Sequence, residues 1–103
     1  VVDPEALRLL PRTGTLLWAS EGDAKLGLDP FVREVTPDGR HLRELSLPEH
    51  LHMRAANNGP RDNLALEGLA LTPDGATAWA AMEAALRQDG SVPGVGQPGG
   101  PCR

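Results

Sequence analysis

The stretch 67-EGLALTPDGATAWAAME-83 decides the fold. Leu69 and Leu71 recur at period two, the spacing that puts side chains on one face of a strand. Pro73, Asp74 and Gly75 then supply a turn: Pro presets φ, Asp bonds nearby backbone, and Gly accepts left-handed φ. With "ATAW" on the far side, the segment predicts a β-hairpin. A helical reading competes, because "WAAMEAALR" is rich in alanine and spaces Trp79, Met82, Glu83 and Leu86 as a helix would. The turn and the alternation before it favour strands.

Working outward, 5-EALRLLPRTGTLLWASE-21 is laid out the same way. Each copy opens on a glutamate (Glu5, Glu67) and has leucines two and four positions on. A proline stands six positions on, followed by a turn, a tryptophan and a closing glutamate (Glu21, Glu83). Asp3 and Pro4 would also start a helix well, but the twin of a hairpin should itself be a hairpin, turning at "PRTG", Pro11 to Gly14. Trp18 and Trp79 then read as equivalent core fillers. Between the copies, "FVREV", a second Pro-Asp-Gly turn at Pro37 to Gly39, and "HLRELSL" predict another hairpin.

The expected strands lie near residues 5–10, 15–20, 31–36 and 41–47, with a fresh start of the pattern after a loop over 48–63. The fold class is all-β: a β-propeller-like fragment, one four-stranded antiparallel blade plus the first hairpin of a second. The second copy begins at 67 where the first begins at 5, a longer period than the roughly 40 to 50 residues of common propeller repeats, and the connecting loop accounts for the excess. Residues 1–90 read as a partial propeller domain cut from a longer protein. Residues 91–103, Gly- and Pro-rich with few large apolar side chains, read as a disordered tail.

Composition narrows the function classes. A chain of 103 residues supports one small domain, and 40% hydrophobic with 23% charged residues suits a globular one. No apolar run approaches the roughly 18 to 20 residues that span a bilayer. The formal charge of −4 offers no basic stripe for a phosphate backbone, which argues against a nucleic-acid partner. The single cysteine, Cys102, excludes a disulfide within the chain and a cysteine-rich zinc site. No secretory signal pattern is present within these residues.

The bracketing carboxylates carry the chemistry. In a tight antiparallel hairpin the start of one strand faces the end of the next, so Glu5 should lie across from Glu21, and Glu67 near Glu83. Like charges placed opposite each other repel, so each pair calls for a cation, an arginine or a shared proton. The functional reading is an oxygen-rich metal site at Glu5, Glu21, Glu67 and Glu83, with calcium as the natural occupant, or a carboxyl acting as general acid or base. The structural reading makes the same glutamates acceptors of backbone N–H groups, or partners of Arg8, Arg61 or Arg87. Arg61 and Asn63, in "RDN", are the candidate substrate-binding residues, the guanidinium suiting a phosphate or carboxylate. His41, His50 and His52 read as solvated loop residues. No GxSxG elbow and no phosphate loop is present.

"DPEALRLLPRTGTLLWASEG", "PDGRHLRELSLP" and above all "RDNLALEGLALTPDGATAWAAMEAALRQDG" resemble the phytase-like domain, the family described by esterase-like activity of phytase. The resemblance covers about residues 3 to 90. It implies a secreted or periplasmic propeller-like protein that hydrolyses phosphoesters or other small-molecule esters. The alternative is a non-catalytic binding or scaffold module that keeps the fold.

Overall fold

The computed structural model describes residues 2–53 and 57–103. All the regular structure in them is β, apart from one 3-10 turn at Glu49–Leu51. Strands β1 (Pro4–Leu9), β2 (Leu16–Ser20), β3 (Phe31–Val35) and β4 (His41–Leu45) form one antiparallel sheet in chain order, and β5 (Leu66–Leu71) and β6 (Ala78–Met82) form a second sheet of two strands. Both segments with helical alternatives are extended. "DPEALRLL" enters β1 and "WAAME" ends β6, because alternate residues find partners across a hairpin that a lone helix would lack.

The turns explain the order. At both Thr-Pro-Asp-Gly sites the threonine hydroxyl donates to the aspartate carboxylate, Thr36 to Asp38 and Thr72 to Asp74. The glycine N–H closes each turn on the threonine carbonyl at 2.8 Å. Gly75 sits at φ +69, and a Cβ there would stand 2.9 Å from Cδ of Pro11 in the other hairpin's turn. Only glycine serves both the backbone and the close approach.

The two hairpins match residue for residue. Pro4 pairs Ser20 and Leu66 pairs Met82; each register then slips by one residue before Ala6 pairs Ala19 and Gly68 pairs Ala81. The residues in the slip are Glu5 and Glu67, so the opening glutamate of each copy occupies a β-bulge. Glu21 N–H donates to the Asp3 carbonyl at 3.0 Å and Glu83 N–H to the Ala65 carbonyl at 2.7 Å, the same closing bond 62 positions later (3 to 65).

The register corrects one expectation. Leu7 pairs Trp18 and Leu69 pairs Ala80, while Arg8 pairs Leu17 and Ala70 pairs Trp79. Trp79 therefore corresponds to Leu17, and the two tryptophans lie on opposite faces of their hairpins. Trp18 is half-buried and meets Phe31 edge to face, whereas Trp79 is 68% exposed and fills no core.

The sheets pack through β5, which lies on β1 and β2. Leu17, Ala19 and Val32 from the meander meet Leu66, Leu69 and Met82 from the hairpin, with Ala65 and Leu86 completing the buried cluster. Residues 91–103 bury no large side chain. They return toward β6, where Met82 N–H donates to the Arg103 carbonyl at 2.9 Å and Arg103 forks onto Asp89 at 2.6 and 2.9 Å. No helix among the described residues is long and apolar enough to cross a membrane.

Candidate functional site

The bulges aim their glutamates at the seam between the sheets. Asp3, Glu5 and Glu21 bring one carboxylate oxygen each to within 4.8 Å of one another, and so do Glu21, Glu67 and Glu83. The four glutamates singled out by spacing thus converge, and Asp3 joins them. Glu21 belongs to both triads. Its 3% exposure comes from its place at the end of β2, where β5 begins to cover the meander. Its Oε2 accepts the Ala65 N–H at 3.0 Å, tying the carboxylate of one hairpin to the backbone that leads into the other.

The electrostatics follow from crowding. Glu21 titrates above the usual carboxylate range, first because burial penalises its charge; the Ala65 N–H works against this, and Glu5, Glu67 and Asp3 add to it. Glu5 is raised as well, by desolvation first, then by Glu67 and Asp3. Both shifts record a site where negative charge is expensive and a proton or a cation is welcome.

A cleft of about 420 Å³ opens beside the cluster, lined by Val2, Asp3, Glu21, Gly22, Asp23, Lys25, Asp62 and Asn63. Its walls are two loops stitched together. Asp62 Oδ1 accepts the Ala24 N–H at 3.1 Å, and Asp23 Oδ1 takes the N–H groups of Lys25 and Leu26. Gly22 has φ +90, and a Cβ on it would lie 2.6 Å from the Leu28 carbonyl oxygen and 2.7 Å from the Pro30 nitrogen. The loop after Glu21 can fold back this tightly only through glycine.

Asn63, at φ +57 in the turn from Arg61 to Leu64, lies on the cleft wall. Its neighbour points elsewhere: the Arg61 guanidinium donates to the carbonyls of Ala85 and Gly90, the latter at 2.6 Å. Asp3, Asp23 and Asp62 were not singled out by the sequence. Asp3 corresponds to Ala65 in the second copy, so comparing the copies hides it. Of the histidines, His52 lies 3.9 Å from Asp29.

A family model described as "Phytase-like: Esterase-like activity of phytase" matches residues 1–103. The chain belongs to the phytase-like family. Comparison with curated proteins and with solved structures returned no match. Family membership supports a phytase-like, hydrolase-type assignment for this all-β chain.

Proposed function

We propose that this chain contributes a cation-dependent site for hydrolysis of a phosphoester or other small-molecule ester, set between two successive blades of a propeller. The observation that carries the reading is the convergence of both repeats on Glu21, which joins two carboxylate triads, with Asp3 and Glu21 lining the adjoining cleft. The blade assignment rests on the matched registers and on the packing of β5 against β1 and β2.

The donor set fits a hard divalent cation. Every side-chain ligand is a carboxylate oxygen, and calcium takes six to eight oxygens in flexible geometry. Asp3, Glu5 and Glu21, or Glu21, Glu67 and Glu83, would hold it. Such an ion supplies positive charge to an anionic or polarised substrate oxygen. The chain's own residues do the rest. Asn63 offers an amide to orient the substrate, and with the ion on Glu21, Glu67 and Glu83 the Glu5 carboxyl, raised first by desolvation and then by Glu67 and Asp3, is left to exchange a proton with water or a leaving group. A location in the periplasm or outside the cell is proposed on family character alone.

The test is calcium titration by calorimetry, paired with hydrolysis of aryl ester and aryl phosphate substrates with calcium or with chelator, for the wild type and Glu21→Gln, which removes the ligand common to both triads. Calcium-dependent turnover and a bound ion, both reduced in Glu21→Gln, are expected; turnover indifferent to chelator would overturn the cation role. The Ala65 N–H bond to Glu21 favours a second reading, in which the carboxylates are structural and the chain is a non-catalytic scaffold. Stable folding with neither calcium binding nor turnover would select it.

A further inference from the structure

Of the 10 lysines and arginines in the sequence, Lys25 is the only lysine. Several of the arginines are committed to holding the fold. Arg33 pairs with Glu44 at 2.7 Å, Arg43 with Glu34 at 2.6 Å, Arg103 forks onto Asp89, and Arg61 donates to the carbonyls of Ala85 and Gly90. Lys25 is placed differently. Among the described residues it is the one cationic side chain lining the cleft beside Glu21, and its ammonium forms no ion pair, although Asp3, Glu21, Asp23 and Asp62 line the same cleft.

The backbone that carries it is fixed from both sides. Residues 23–28 form a closed loop in which Asp23 and Leu28 exchange two backbone bonds, at 2.8 and 2.9 Å. Asp23 Oδ1 accepts the Lys25 N–H at 2.9 Å, and Asp62 Oδ1 accepts the Ala24 N–H at 3.1 Å, so the lysine is held in register with Asn63, the residue after Asp62. The same bonds turn the carboxylates inward: Asp23, Asp62 and Glu21 each present an oxygen to backbone N–H groups. They hold the walls of the cleft and leave the ammonium to the space between. A lysine head is a compact charge with three donors on a flexible stem, which suits the oxygens of a phosphoryl group.

We propose that Lys25 is a specificity-determining residue of this site: its ammonium binds the anionic oxygens of a phosphoester in the cleft, opposite Asn63, and so favours a charged substrate over a neutral ester. The proposal rests on the reading above in placing substrate in this cleft, and adds the residue that chooses between the two ester classes. The loops that carry Lys25 and Asn63, 22–28 and 61–64, are both internal to the chain.

The experiment is calorimetric binding of phenylphosphonate, a phosphoester mimic that cannot be hydrolysed, to residues 1–103 with calcium and with chelator, for the wild type, Lys25→Met and Lys25→Arg. Circular dichroism checks that each variant folds. Wild-type binding that weakens about tenfold or more in Lys25→Met and is largely kept in Lys25→Arg is expected, as for the loss of one charge-assisted hydrogen bond. A second measurement needs no variant. Reductive methylation with carbon-13 formaldehyde keeps the charge and labels only Lys25 and the α-amine, and the Lys25 methyl resonance should shift to saturation as phenylphosphonate is added. A wild type that binds no phenylphosphonate, a Lys25→Met that binds it equally well, or a Lys25 resonance that does not move overturns the proposal. Binding that depends on Lys25 but persists in chelator upholds it and removes the cation from the reading above; the same binding without turnover of an aryl phosphate upholds it and removes the hydrolase.

Discussion

Replacing Glu21 with glutamine should stabilise the protein without calcium and abolish much of its response to calcium. Glutamine keeps an oxygen to accept the Ala65 N–H, so the bond between the hairpins survives. What goes is one charge that has Asp3, Glu5, Glu67 and Glu83 as neighbours at up to 4.8 Å. Two unit charges at that distance repel by about 0.9 kcal/mol in the dielectric of water, and more at a partly buried site. Summed over these neighbours and discounted for salt screening, the relief is about 1 to 2 kcal/mol at neutral pH. For a domain of this size that raises the melting midpoint by roughly 5 to 15 °C in chelator. With calcium at about 100 times its dissociation constant the wild type gains about 2.7 kcal/mol, and the variant, short of the ligand both triads share, gains much less. Thermal unfolding followed by circular dichroism reads both effects. If Glu21→Gln melts below the wild type in chelator, the carboxylate charge is stabilising and the account of the cluster is wrong.

Other outcomes follow from the same geometry. Because Glu5 and Glu21 titrate above their unfolded value of 4.5, their contribution is fully present below that pH. It is lost as pH rises through the folded values, so without calcium the melting midpoint should climb on acidification from neutral pH toward 4.5, and calcium should flatten the climb. Glu34, buried and bonded to Thr15 and Arg43, titrates below 4.5, so its contribution holds above that value and fails as pH falls through the folded one. Arg43→Ala should cost about 1 kcal/mol at neutral pH and less at acid pH, measured by urea unfolding at both. Gly22→Ala should destabilise by about 2 kcal/mol or more in the same assay, because a Cβ meets backbone at 2.6 Å. Leu66→Ala, at a site 1% exposed, should cost about 2 to 5 kcal/mol.

The hairpins were legible because turn chemistry and period-two alternation act locally: Pro73, Asp74 and Gly75 specify a turn whatever surrounds them. The pairing of the four glutamates was legible in outline, since the ends of a hairpin must meet. Three things were not. A bulge inserts a single residue, and nothing in the side chain of Glu5 or Glu67 announces it, yet it decides where each carboxylate points. Trp18 and Trp79 look equivalent by position in the text, but they differ by one in register, and one step reverses the face. Arg61 has the chemistry to bind an anion, but its reach to the carbonyls of Ala85 and Gly90 depends on a return of the chain that lies 24 and 29 residues downstream.

The bond from the Ala65 amide to the Glu21 carboxylate also gives the molecule a built-in reporter. Ala65 is fully buried, and its N–H is held by the one side chain common to both carboxylate triads. Anything that changes the electron density of that carboxylate, whether a proton or an ion, alters the shielding of a single amide proton far from solvent noise. In a nitrogen-labelled sample one cross-peak should therefore follow titration of the site directly. Its hydrogen-exchange rate should tell separately whether the two sheets loosen when the charge is neutralised.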